Sequence, residues 1–174
     1  MPRTSRTFFL VYLALLVAMA MALHALEAMM PLPHVVPGAK LGLANIIALY
    51  AVVMLGLRSA LVVSVLRTFL GSLVSGTFLT FGYMLSFSGA LLSTVVMWAV
   101  YRVARGRVSL VGVSIAGAVT HNLTQLGMAA LLLRQLAILV YLPHLLFFAI
   151  PTGMFIGLVT NRLRVIGIRT LGEV

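Results

Sequence analysis

Glu27 is one of only two acids in the 174-residue chain, and it stands three residues after His24 in the run LHALEAMMP. On a helix that spacing puts both side chains on one face. A carboxylate inside an apolar run is costly unless it pairs with a cation or faces water, and Lys40, His34 and His24 are the nearest groups along the chain able to supply that pairing. Lys40 belongs to a second constellation, PGAKLGLANI at 37–46. There Pro37 stops any preceding helix, Gly38 permits a turn, Gly42 allows close backbone approach and Asn45 follows with a donor and an acceptor. Such a segment can dip into the mouth of a helical bundle, where Lys40 would meet an anionic group. A third constellation, SIAGAVTHNLTQLG at 114–127, carries His121, Asn122, Thr124 and Gln125 at spacings of three and four, which makes them neighbours on one helix surface. Arg67 is the fourth candidate, a lone guanidinium within an apolar run.

Each candidate also has a purely structural explanation. Lys40 can snorkel to headgroups while Gly42 serves packing. Glu27 can reach the interface, Arg67 can snorkel or cap a neighbouring helix, and the His121 cluster can be polar glue between helices. Residue types alone leave both explanations open at every position.

The residues that are missing narrow the chemistry further. There is no Cys, which excludes disulfides, thiolate metal sites and cysteine nucleophiles. There is no Asp, so no cluster of acids can hold Mg²⁺ against a substrate phosphate. No glycine-rich phosphate loop and no Ser-His-acid set occurs, and His24, His34, His121 and His144 are scattered without metal- or haem-ligand spacing. The expectation is a non-enzyme with no metal and no cofactor.

The elements that must position these residues follow from composition. With 63% hydrophobic residues, 8% charged and a mean hydropathy of +1.20, too little polar surface exists to clothe a soluble domain. The apolar runs are near-continuous and not alternating, which selects helices over barrel strands. Taking roughly 17–20 apolar residues per crossing, spans are predicted near 8–30, 41–57, 59–77, 83–103, 109–133 and 138–161. The fold class is therefore all-α: a polytopic membrane protein, a six-transmembrane-helix bundle forming a single domain over 1–174. The N-terminal run has two Arg and an A-x-A triplet in the manner of a secretory signal, but its apolar stretch continues to about Met30, and it is read as an uncleaved first span. The twelve cations orient the bundle: with both termini in the cytoplasm, Arg3, Arg6, Arg58, Arg102, Arg105, Arg107, Arg162, Arg164 and Arg169 lie inside, while Lys40 and Arg134 lie outside. The cytoplasmic membrane is the expected location. In the first span Ala14, Ala18 and Ala22 recur every fourth residue, a small-residue stripe that admits a partner helix.

PGAKLGLANI, LHALEAMMP and AGAVTHNLTQL together resemble the membrane family labelled both Gx transporter and heptaprenyl diphosphate synthase component I. That family in turn resembles the S components of energy-coupling factor (ECF) transporters. The resemblance implies six helices and an outward pocket shaped by the first loop, with Glu27, Lys40, Asn45, Arg67, His121, Asn122 and Gln125 as substrate-binding residues. It also implies docking through Ala14, Ala18 and Ala22 on a separate coupling subunit with ATPases. The substrate would be a small anionic or zwitterionic vitamin or precursor. The alternative is an accessory membrane protein of prenyl-quinone (heptaprenyl diphosphate) synthesis or of flavin-linked electron transfer. No role with nucleic acid is expected, since the cations sit at the ends of apolar runs and not among aromatics.

Overall fold

A computed structural model describes residues 3–29, 42–104 and 106–172. These fold into six α-helices: α1 (Arg3–Met29), α2 (Asn45–Leu55), α3 (Leu57–Val74), α4 (Phe81–Ala104), α5 (Leu110–Leu133) and α6 (Leu142–Gly172), with a short 3₁₀ segment (Leu136–Tyr141) between the last two. The described residues contain no strand. Four stretches, 6–27, 57–74, 81–104 and 136–167, are long and apolar enough to cross a membrane. The protein is an all-α membrane bundle.

α5 is as long as α4, at 24 residues, and carries its polar residues sheltered between α4 and α6, its most extensive neighbours. Polar side chains in a bilayer are cheapest where protein surrounds them. Its ends are set locally. Ser109 caps the N-terminus by accepting from the Gly112 N–H at 3.3 Å, and Arg134 ends the helix in the left-handed region at φ 51°.

The expected second span, 41–57, is shorter than its sequence suggests. α2 has 11 residues, which at 1.5 Å each gives about 16 Å, roughly half a hydrocarbon core. Residues 45–52 are all buried, against α1, α3, α4 and α6. A helix apolar on every side is stable only as an interior post. Gly56, at φ 82°, turns the chain between α2 and α3. Asn45 and Arg67, equally far from Gly56 on either side, are hydrogen-bonded, so the two helices run back along one another as a hairpin.

Close packing elsewhere rests on small residues. Gly153 and Gly157 on α6 press against α5, where an added Cβ would lie 2.7 Å from the Ile115 Cα and 2.6 Å from the Val111 Cα. This is a G-xxx-G contact in which the backbones themselves meet. Hydroxyls link further pairs: the buried Ser64 with Thr94 between α3 and α4 at 2.8 Å, and the part-buried Tyr12 with Tyr50 between α1 and α2 at 2.7 Å. α1 turns Leu16, Val17, Ala20, His24 and Glu27 inward and leaves Ala14, Ala18 and Ala22 exposed.

Candidate functional site

His24 and Glu27 lie on the buried side of α1, in its last two turns, as their spacing predicts. Glu27 is 3% exposed and accepts a hydrogen bond from the Gly42 N–H at 2.5 Å. Gly42 sits at φ 83°, a left-handed conformation open to glycine, and this turn delivers the N–H to the carboxylate. A side chain there would fall 2.7 Å from Asn45 Nδ2 and 3.6 Å from the His121 ring. The backbone then closes through Asn45 N–H to the Gly42 carbonyl at 2.8 Å and leads directly into α2. Gly42 is thus the point where the first loop, α2 and α5 approach each other.

α3 contributes Arg67, 2% exposed, whose Nη2 donates to Asn45 Oδ1 at 2.7 Å. Glu27 provides its electrostatic counterweight, and both groups line one narrow hollow with His24, Gly42, Thr68, Ser86 and His121. Five segments converge there: α1, the loop before α2, α3, α4 and α5. Glycines make room for the two imidazoles. A Cβ at Gly71 would lie 3.3 Å from His24 Cδ2, and one at Gly89 would lie 2.9 Å from His121 Nδ1 and 3.1 Å from Gln125 Cγ. The hollow opens about 10 Å³ to the centre of a water molecule, room for roughly one water. It lies toward the bundle end formed by the C-termini of α1, α3 and α5, away from the arginine-rich end.

Three buried atoms of the cluster, Arg67 Nε, Asn45 Nδ2 and Ser86 Oγ, have no hydrogen-bond partner among the described residues. Buried donors are satisfied in most proteins. A guanidinium, a carboxamide, a hydroxyl and two imidazoles gathered around one carboxylate can recognise an anionic or zwitterionic group by charge-assisted hydrogen bonds. Among the described residues no set of three or more His, Asp or Glu side chains is arranged to hold a metal ion.

Of the residues expected to bind substrate, Glu27, Arg67 and His121 line the hollow, Asn45 is held to it by Arg67, and Gln125 packs beside His121 over Gly89. Asn122 does something else. Its Nδ2 donates to the Leu145 carbonyl at 2.9 Å and ties α5 to α6, so the polar-glue alternative describes it. Thr124 returns its hydroxyl to the Thr120 carbonyl of its own helix. Lys40 and His34 lie outside the described residues, so the expected Lys40 contact with Glu27 does too. Among the described residues the carboxylate accepts from the Gly42 N–H and shares the hollow with Arg67, an arrangement the sequence did not suggest. Arg67 neither snorkels nor caps a helix end. Thr68 and Ser86 were not anticipated, because single hydroxyls in apolar helices usually bond their own backbone, as Thr68 also does to the Ser64 carbonyl at 2.9 Å.

The fold and this cluster define a class: an integral membrane helical bundle with ionised and polar side chains gathered in its interior. The chain belongs to the family described as heptaprenyl diphosphate synthase component I, whose family model matches residues 16–163. No curated protein and no solved structure matches it.

Proposed function

We propose that the protein is a substrate-binding membrane subunit of a small-molecule importer, similar to an S component, taking an anionic or zwitterionic molecule from the outer side. The observation that carries this reading is the convergence of Glu27, Arg67, His24 and His121 from three separate helices on a hollow that Gly42 closes. Holding ionised groups together inside a bundle is expensive, and intramembrane charge marks substrate or ion paths by default. In this reading Arg67 takes the anionic group of the substrate, Asn45 orients the guanidinium, and Glu27 balances its charge while the site is empty. A molecule larger than water enters only when the walls part, so the described conformation corresponds to a closed one. The exposed stripe Ala14, Ala18 and Ala22 leaves one face of α1 open to a coupling subunit, with ATPase activity on separate chains. Both termini would be cytoplasmic, because Arg6, Arg58, Arg102, Arg107, Arg162 and Arg164 gather at one end of the described bundle and Arg134 at the other.

Native mass spectrometry of the full chain, extracted in mild detergent, tests the reading. A small ligand retained by the wild type and lost in Arg67→Gln and His121→Ala, but kept in Asn122→Ala, is the expected result. A chain that carries no ligand, or carries it equally in all three variants, refutes it.

The family description favours a second reading, an accessory membrane protein of prenyl-quinone (heptaprenyl diphosphate) synthesis, or of flavin-linked electron transfer. The absence of Asp argues against a catalytic role for this chain in joining prenyl units, since Mg²⁺-diphosphate chemistry relies on clustered carboxylates. Co-purification with a soluble prenyl synthase or a flavoprotein, and no ATPase module, would support an accessory role.

A further inference from the structure

A second cavity lies at the opposite end of the bundle from the Glu27 cluster, where α4 ends, α5 begins and α6 passes beside them. It measures about 530 Å³ and is lined by Tyr101 and Arg102 of α4, Ser109 and Leu110 at the start of α5, and Asn161 and Arg164 of α6, among others. Among the described residues no carboxylate lines it. Neither guanidinium has a hydrogen-bond or ion-pair partner among the described residues, so two positive charges face one cavity with no counter-charge from those residues. The first amide groups of α5 add the positive end of a helix dipole. Asn161 also lines a second hollow, about 750 Å³, that runs along the outer side of α6 past Phe155, Leu158, Val165 and Ile166 and is mainly apolar. Phe155, Leu158, Val165 and Ile166 are all exposed.

We infer that this is a binding site for an anionic phospholipid. The phosphate would lie between Arg102 and Arg164, with Asn161 at the junction, and an acyl chain would follow the apolar groove on α6. Basic cavities between transmembrane helices on the cytoplasmic side are suited to phospholipid headgroups, and the positive-inside distribution places this end on that side. A free anion would leave the groove unused, whereas a lipid would fill both hollows and meet Asn161, which lines each of them. The bound lipid would hold the ends of α4, α5 and α6 together, and it is independent of the substrate proposed for the Glu27 cluster.

The experiment uses the full chain, delipidated in a neutral detergent, with phosphatidylglycerol and phosphatidylcholine of matched chain length titrated together and bound lipid counted by native mass spectrometry. Phosphatidylglycerol should be retained in preference. Arg102→Gln and Arg164→Gln should each weaken its retention roughly fivefold, as expected for one cation near a lipid headgroup. Arg102→Lys and Arg164→Lys should keep most of it, which shows that charge and not misfolding is being read. Arg58→Gln, an exposed cation at the same end but outside both hollows, should leave it unchanged. Equal retention of the two lipids overturns the proposal, as does an equal loss in Arg58→Gln. Displacement of phosphatidylglycerol by inorganic phosphate at equal concentration would also overturn it, since the occupant would then be a soluble anion.

Discussion

Removing the charge of Glu27 while keeping its shape should expose how strongly the centre of the bundle depends on that charge. In Glu27→Gln an amide oxygen can still accept from the Gly42 N–H, while the negative charge that balances Arg67 is lost. Both groups are almost wholly buried, and the guanidinium would then be an uncompensated cation inside the bundle. Breaking one side of a buried ionic pair costs about 3–5 kcal/mol, and at about 2–4 °C per kcal/mol for a chain of this size the unfolding midpoint should fall by about 6–20 °C. Arg67→Met should fall similarly, because Glu27 becomes the stranded charge. The double variant Glu27→Gln/Arg67→Met should lose less than the sum of the two single losses, by a coupling of about 1–3 kcal/mol between the two sites. Thermal unfolding in detergent, followed by the fluorescence of Trp98, which packs on the core, measures all four proteins. Single-variant losses that add to within about 0.5 kcal/mol would show two independent charges and refute the pairing.

The remaining predictions concern the α5–α6 contact. Gly157→Ala should destabilise the bundle by about 1–3 kcal/mol, because the added Cβ meets the Val111 Cα at 2.6 Å and backbone cannot yield as a flexible side chain does; an unchanged melting curve would contradict this. Asn122→Ala should cost about 0.6–1.7 kcal/mol, the range for an interhelical hydrogen bond in a membrane protein, and leave ligand retention intact, since its amide serves the Leu145 carbonyl and not the hollow. Ligand loss in Asn122→Ala would return that residue to the site.

Much of the fold was legible because lipid imposes a simple rule: apolar runs of sufficient length become helices, and Pro, Gly and Arg mark their ends. The ends of α4 and α5 fall within a few residues of expectation for that reason. α2 departs from it, since an interior helix need not span the bilayer and hydropathy does not distinguish being surrounded by protein from being surrounded by lipid. The stripes of small residues carry the same lesson. Gly153 and Gly157 are used inside the chain, whereas Ala14, Ala18 and Ala22, with the same spacing, remain exposed. Spacing reveals that a close approach is allowed, and the position of the helix decides whether a neighbour from the chain occupies it.

The sequence by itself determined that this is a membrane helical bundle, which side chains are too polar for lipid, and which of them share a helix face, because a fixed helical repeat relates residues three and four apart. Only the tertiary structure decided that Glu27 meets Gly42 and shares a hollow with Arg67, that Arg67 holds Asn45, and that Asn122 turns away to α6. Those choices depend on the rotation of each helix about its axis and on the Gly56 hairpin. Both are set by the packing of side chains far apart along the chain.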